Sequence, residues 1–581
     1  MVSAADVRAQ LTGPGAMFEI TTEVVNGVEL QVYAERMTSL RQVPELAMMR
    51  GDDEQYLVYG EETYGFSRFV ETSNSVAHAL HDVHGLGKGD RLAVLSQNNP
   101  EWCLSFWATV TNGAILVGLN GWWKTEEIIY GLQDSGARIL VADRKRFERI
   151  AGQLDQVPDL EAIFLTHDAD PSDFAEMVGG EHASKLHRFD ELTSDPKPDF
   201  VEVEIAEEDP AVIFYTSGTT GKPKGAISTH RNMIANLQNT IFGAVAGAML
   251  GSQLLGDDTE ASTGQTVSLF TSPLFHVSGC HSTLVVGMLA GLKLVMPVGR
   301  FTPELALELI ATHGVNVWAT VPTMVWRVCE HPDRHAHDTS SVTSVAFGGS
   351  PSADELQRKI RDTFPNIKAT TNAYGLTESS SVATSITGQD ALDRPDSVGL
   401  AVPTVELQII DGMGNVLGPN ESGEVCIKGP IIMAGYWNKP EATAETVRDG
   451  WLHTGDVGHL DDDGYLFITD RAKDMIIRGG ENIYCVEIEN RLVEHPRIAD
   501  AAIIGVPHAE LGEEVKAVVQ VEPGAELTEA EVKEWVAATL ANFKVPAHVE
   551  LEADKLPRNA SGKLLKNVLR GEGEVSFSET M

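Results

Sequence analysis

The chain has 581 residues, too many for a single hydrophobic core, so two or more domains are expected. Its 43% apolar and 22% charged content are those of an ordinary soluble globular protein rather than a fibrous, disordered or membrane-embedded one. The 44 basic residues face 84 acidic ones, a formal net charge of −40, which argues against nucleic acid or anionic lipid headgroups as main partners.

Any anionic substrate therefore needs a local cluster of cations or backbone donors. The N-terminus "MVSAADVRAQLTGPG" lacks the basic flank and apolar core of a signal peptide. "FEITTEVVNGVELQVY" reads as a hairpin turning at Asn26-Gly27. "RLAVL", a helix-like "PEWCLSFWATVTNG" and "AILVGL" read as a β-α-β unit. "IFGAVAGAMLGSQLLG" (241–256) is too short and glycine-rich for a membrane span and reads as a buried helix followed by a surface loop. "VSLFTSPLFHVSG" leads into an apolar helix, and "FTPELALELIATHG" leads into "VNVWATVP". In "SVTSVAFGGSPSADELQRKI" a strand and a glycine turn precede Ser350 as N-cap, Pro351 at the first helical position, and Asp354 and Glu355 in the first turn. This alternation predicts an α/β fold with ligands at the carboxyl ends of strands. After about residue 395 the pattern turns to strands and turns, a β-rich subdomain. Past Arg471 a separate α+β unit of about one hundred residues is expected. The five cysteines, Cys103, Cys280, Cys329, Cys426 and Cys485, are scattered, which speaks for a reducing, cytoplasmic setting without a disulfide framework or zinc site.

"YTSGTTGKPKG" (Tyr215 to Gly225) holds three glycines, two lysines and five hydroxyl side chains, a composition suited to wrapping phosphate oxygens. It is not a Walker A loop: Thr216 stands where the first glycine belongs, Pro223 follows Lys222, and "GAISTH" reads as a strand, not a helix. "DDDG" (461–464) fails as a calcium loop, because counting back from Gly464 puts His459 at the first ligand position, and reads as a hairpin turn. A G-x-S-x-G nucleophile elbow is absent.

With the glycine loop stand "NAYGLTE" (372–378), "GWLHTGDVG" (450–458), "DRAKDMIIRGGENI" (470–483) and "LPRNASGKLLK" (556–566). Together these five motifs resemble the adenylate-forming superfamily of acyl- and aryl-CoA synthetases, luciferases and adenylation domains, over nearly the whole chain. The resemblance implies ATP, Mg²⁺ and CoA as co-substrates. It gives Thr216, Ser217, Gly218, Thr219, Thr220, Gly221 and Lys224 the β- and γ-phosphates, with Thr216 also near the cation. Tyr374, within Asn372, Ala373, Tyr374 and Gly375, flanks adenine; Thr377 meets a phosphate and Glu378 offers a hard carboxylate to Mg²⁺. Gly348 and Gly349 form the strand-end turn facing the nucleotide, where side chains would block backbone approach. Asp456 grips the ribose hydroxyls, and Arg471 serves the ribose and phosphate side. Lys473 falls at the hinge, against the alternative of a plain surface lysine. Arg478, Gly479 and Gly480 match the loop that admits the pantetheine arm.

Lys563 matches the lysine bridging the substrate carboxylate and the α-phosphate. A carboxylate attacking phosphate brings two anions together, and a mobile ammonium neutralises both. With Lys563, His276 is the second candidate catalytic residue, at the acyl entrance, weighed against a core histidine. The implied acyl pocket takes His276, Val277, Gly279, Cys280, Val321, Phe347, Gly348, Asn372 and Ala373. It carries no obvious charge for an α-amino group, and Gly279 and Cys280 leave room for a medium, long or bulky aliphatic acid. An aryl acid of the cinnamate or benzoate type, and an acyl-AMP ligase loading a carrier protein, are the alternatives. The expected division is a large domain over 1–470 carrying the ATP and acyl sites, a hinge at 471–474, and a small mobile α+β domain over 475–581 carrying Lys563. No integral membrane segment is expected, and the oligomeric state, a homodimer included, is not legible here.

Overall fold

The computed structural model describes residues 4–216, 222–255, 264–348, 354–471, 474–478, 481–508, 511–558 and 564–571. Two large sheets organise the first two thirds of the chain. The first has eight strands in the order Gly435–Tyr436, Lys224–Thr229, Pro210–Thr216, Ile115–Gly118, Arg91–Leu95, Ile139–Ala142, Ala162–Leu165 and Leu186–Arg188. From Pro210–Thr216 onward these strands run parallel. Their short uninterrupted apolar runs, such as "ILVA", are buried throughout, as strands covered on both faces require.

The second sheet has nine strands, ordered Leu400–Ala401, Thr384–Thr387, Ala369–Tyr374, Ser344–Gly348, Val317–Thr320, Val267–Leu269, Lys293–Met296, Gln55–Tyr59 and Glu62–Gly65. Its central six strands are parallel. Helix Pro100–Thr111 lies between the two sheets, and all twelve of its residues are buried. It starts where Asn99 accepts a hydrogen bond from the Trp102 backbone N–H, with Pro100 at the first position. Trp102, Phe106 and Trp107 share one core with Tyr56 and Leu294 of one sheet and Leu92, Leu116 and Phe214 of the other. Each large side chain so buried contributes about 1.5–3 kcal/mol. On the outer face of the second sheet, helices Pro303–His313, Pro322–Cys329 and Asp354–Thr363 pack over Trp318 and Val345. Thr302 caps the first of these through the Leu305 N–H, and Gly314 ends it at φ +61°.

A five-stranded antiparallel sheet follows (Glu406–Ile410, Gly423–Lys428, Trp451–Leu460, Val447–Arg448 and Leu466–Arg471), the expected β-rich portion. "DDDG" is a hairpin turn, with the Asp461 carboxylate accepting from the Asp463 and Tyr465 N–H groups. The chain leaves this sheet at Arg471 and enters the last one at Ile476. There Ile476–Arg478, Ile498–His508, Gly512–Val521 and His548–Glu552 pack against helices Cys485–Val493 and Glu529–Ala537.

One expectation needs correcting. Residues 241–255 are not a separate buried helix. They form the second half of helix His230–Leu255, with Gly243, Ala244 and Ala248 exposed. No proline interrupts the run after His230, and one face suffices to pack Phe242, Val245 and Met249 against Val7, Leu11 and Phe18. His230–Leu250 is long and apolar enough to cross a membrane by length and composition alone, and 39% of its most apolar window is buried. Residues 256–263 lie outside the described residues, as do Ser350 and Pro351.

Candidate active site at the strand ends

Strands Pro210–Thr216 and Lys224–Thr229 pair antiparallel, Thr216 opposite Lys224, and so close the glycine loop at its base. A strand after the loop is what Pro223 predicted, and it separates this loop from the strand–loop–helix type. Ser217, Gly218, Thr219, Thr220 and Gly221 lie outside the described residues. The two lysines are held by rings: Lys222 Nζ lies 4.7 Å from the Tyr130 centroid and Lys224 Nζ 4.3 Å from that of Tyr436.

The parallel strands of the second sheet end side by side at Thr320, Gly348 and Tyr374. In that register Phe347 stands opposite Asn372 and Gly348 opposite Ala373. A Cβ on Gly348 would sit 2.7 Å from the Ala373 carbonyl oxygen, and one on Gly375 would sit 1.6 Å from that of Ser381. Both positions thus exclude any side chain. Gly349 lies outside the described residues. Asn372 is buried, and its amide donates to the Ser397 carbonyl at 3.2 Å, which ties its side chain to the scaffold.

After Tyr374 the chain turns through a short 3-10 helix, Thr377–Ser379. Ser380 and Ser381 follow at φ +49° and +111°, left-handed values that cost energy for residues other than glycine. Side chains hold this turn: the Ser379 hydroxyl accepts from the Leu376 N–H at 2.8 Å, and Ser380 and Ser381 pair with Ser228 and Ser282. The turn fixes Glu378, whose Oε1 accepts from the Tyr436 hydroxyl at 2.7 Å and whose carbonyl accepts from the Met433 N–H. Glu378, Tyr436 and Lys224 therefore form one cluster beside the base of the glycine loop. Burial and the Glu378 carboxylate both push the Tyr436 phenol up, so it stays a donor.

Asp456 comes from the antiparallel sheet and is 4% exposed. Its Oδ2 accepts from the Tyr374 hydroxyl at 2.7 Å. Arg471 is its cross-strand neighbour. Arg478 lies at the end of its strand, opposite Gly512, with its guanidinium 3.8 Å from Glu514. Lys473, Gly479, Gly480 and Lys563 lie outside the described residues.

His276 precedes a short apolar helical run over 277–290. Its Nε2 is buried with no partner among the described residues, and burial lowers its pKa to about 4, leaving a neutral ring. The room ascribed to Gly279 and Cys280 needs correction. A Cβ on Gly279 would meet the Pro273 carbonyl at 2.2 Å, so its missing side chain accommodates backbone rather than ligand. Cys280 is fully buried in the core between the sheets. Val277 packs at the edge of that core, and Val321 caps the start of helix Pro322–Cys329.

Sequence reasoning missed Tyr436 and a buried polar chain in which His281 Nε2 lies 3.2 Å from Ser228 Oγ and Ser228 Oγ lies 3.0 Å from Ser380 Oγ. Burial holds the His281 ring neutral, its pKa near 3, and Nδ1 has no partner among the described residues. These residues come from three distant segments, so no local spacing announces them. A widened π-helical turn over Cys280–Val285 breaks the periodicity that would otherwise assign each residue its face.

A site of this kind, with a hydroxyl-rich loop, a carboxylate at a strand-end turn and a buried aspartate on a neighbouring sheet, defines a nucleotide-dependent enzyme. Residues 45–437 match the family model for AMP-binding enzymes, and residues 487–563 match its C-terminal domain. The chain is 32% identical over 508 residues to a feruloyl-CoA synthase of Amycolatopsis, covering 86% of this chain and 93% of that one. It is 31% identical to a long-chain-fatty-acid–CoA ligase of Bacillus subtilis (strain 168), over 85% and 87% of the two chains. The o-succinylbenzoate-CoA synthetase MenE of Bacillus subtilis, solved with ATP and magnesium, superposes with a TM-score of 0.72 at 29% identity, over 92% and 99% of the chains. The chain belongs to the AMP-binding enzyme family. Within it, it is an adenylate-forming acid–CoA ligase, a class whose co-substrates are ATP, Mg²⁺ and CoA.

Proposed function

We propose that the chain activates an apolar medium- or long-chain carboxylic acid as its acyl-adenylate and passes the acyl group to CoA, releasing pyrophosphate and AMP. The observation that carries this reading is the Tyr374–Asp456 hydrogen bond beside the Glu378–Tyr436–Lys224 cluster. It brings Asp456, Glu378 and Lys224, to which we assign the ribose, the cation and a phosphate, to one set of strand ends. Tyr436 donates to Glu378 Oε1, and we assign the other oxygen to Mg²⁺, a hard cation suited to carboxylate oxygen. The glycine loop retains the leaving pyrophosphate. Lys563 neutralises the carboxylate and α-phosphate as they approach. Rotation of the C-terminal unit at 471–474 then exchanges Lys563 for the 478–480 loop, so that one domain serves two steps in turn.

We assign the acid to the side of His276 and Val277, which carries no charge for an amino group. One observation favours a second reading. The His281–Ser228–Ser380 chain, whose His281 Nδ1 has no partner among the described residues, suits the phenolic oxygen of a hydroxylated aryl acid, the kind of acid that the name of the Amycolatopsis relative implies. The five free cysteines are all buried, and we place the enzyme in the cytoplasm.

A panel of carboxylic acids with ATP and CoA, read as AMP release and thioester mass, tests both readings. The first expects turnover that rises with chain length. Turnover restricted to hydroxycinnamates would replace it with the second, and AMP formation only with a carrier protein would overturn CoA as acceptor.

A further inference from the structure

The antiparallel sheet carries a second cluster that the adenylation chemistry does not use. Glu424 and Cys426 are two apart on strand Gly423–Lys428 and so share a face. His453 is the direct cross-strand partner of Cys426. The ladder is irregular here: Glu424 pairs with Val457 and Cys426 with His453, so the extra residues lie on the strand that carries His453. His453 Nδ1 lies 3.1 Å from Glu424 Oε2 and 3.7 Å from Cys426 Sγ, and the three ligand atoms all lie within 4.8 Å of one another. Cys426 is buried, while the His453 and Glu424 side chains keep 14% and 31% of their surface, enough for an ion to enter.

These separations are close to those of a tetrahedral zinc-type centre, with the 3.1 Å Nδ1–Oε2 distance short of it by a few tenths of an ångström. With zinc–sulfur near 2.3 Å and zinc–nitrogen and zinc–oxygen bonds of about 2.0–2.2 Å, ligand atoms stand about 3.3–3.7 Å apart. The single Nδ1 atom can pair with Glu424 or with Cys426, not with both. If Nδ1 carries the proton it serves Glu424 and cannot accept from the thiol. If Nδ1 accepts from the thiol, its lone pair is spent and the carboxylate faces it without a proton. A cation satisfies all three at once.

We propose that Glu424, Cys426 and His453 form a three-ligand site for a borderline-soft divalent cation of the zinc type, separate from the Mg²⁺ position at Glu378. The fourth position is left for water. Binding forms a metal–sulfur bond, breaks the Cys426 S–H bond and delivers that proton to solvent. The second Glu424 oxygen accepts from the Gly455 N–H at 3.1 Å. Gly455 directly precedes Asp456, so an ion at the site ties down the segment that carries the ribose-gripping carboxylate.

The full chain, stripped of metal with a chelator, is titrated with Co²⁺ and then Zn²⁺. The expected result is one Co²⁺ per chain with a near-ultraviolet sulfur-to-cobalt charge-transfer band, displacement by Zn²⁺, and about one proton released per ion. Cys426→Ser abolishes the band and weakens Zn²⁺ binding at least about tenfold. Glu424→Gln and His453→Gln keep the thiol and should each lower affinity, so the assignment does not hang on the folding of one variant. A wild-type chain without the band, or a band unchanged in Cys426→Ser, overturns the proposal.

Discussion

The Tyr374 hydroxyl donates to Asp456 across 2.7 Å and joins two sheets that the sequence separates by 82 residues. One partner ends a parallel strand of the nine-stranded sheet, and the other sits in the antiparallel sheet that follows. The bond aims the carboxylate that we assign to ribose, and a hydrogen bond to a charged group is worth about 1.5–3 kcal/mol. Tyr374→Phe should raise KM for ATP by roughly tenfold or more with little change in KM for the acid. Steady-state assays varying each substrate check this; equal effects on both would show that the tyrosine acts on the fold instead.

Glu378→Gln keeps an acceptor for Tyr436 but removes the charge offered to Mg²⁺. The variant should fold normally, need more Mg²⁺ for half-maximal rate and lose on the order of 10²-fold in adenylate formation. Tyr436→Phe, which frees Glu378 without discharging it, should cost far less. Mg²⁺ titrations of pyrophosphate exchange decide, and an unaltered Mg²⁺ requirement in Glu378→Gln removes that carboxylate from the cation site.

His230 and His281 are at most 1% exposed and held neutral by burial, with folded pKa values near 4 and 3 against an ordinary value of 6.5. Below pH 6.5 the unfolded chain takes up protons that the folded chain refuses. Each histidine therefore withdraws up to about 1.4 kcal/mol of stability per pH unit as pH falls from 6.5 toward its folded value. His281→Asn should flatten the stability loss between pH 6.5 and 5 relative to wild type. Denaturant midpoints at the two pH values test it, and parallel curves would refute it.

Lys563→Ala should lose most acyl-adenylate formation and still convert supplied acyl-adenylate to the CoA thioester. Wild-type pyrophosphate exchange in this variant would show that Lys563 does not serve the first step.

Much of the fold was legible because its signals are local. The apolar runs of the parallel strands, Asn26-Gly27 in the first hairpin, Pro100 at a helix start and Gly314 at a helix end each report the backbone geometry of their own segment. Helix His230–Leu255 was legible only in part, because an apolar run does not say where its helix begins or how much of it is covered. Gly279 was misread for a related reason. A glycine in sequence signals missing volume, but which neighbour fills that volume is a tertiary fact, and here it is the Pro273 carbonyl.

The sequence by itself, through five motifs that resemble one family, pointed to the chemistry: a hydroxyl-rich loop expected to wrap phosphate, carboxylates at 378 and 456, and the exclusion of a Walker A loop by Thr216 and Pro223. Those features depend on residue type and short spacing. Only the tertiary structure decided which side chains meet. Tyr436 on Glu378, Tyr374 on Asp456, His281 on Ser228 and the Glu424–Cys426–His453 cluster all pair segments on different strands or turns. Their contacts depend on sheet order and strand register, and a one-residue slip in register would turn each side chain to the opposite face.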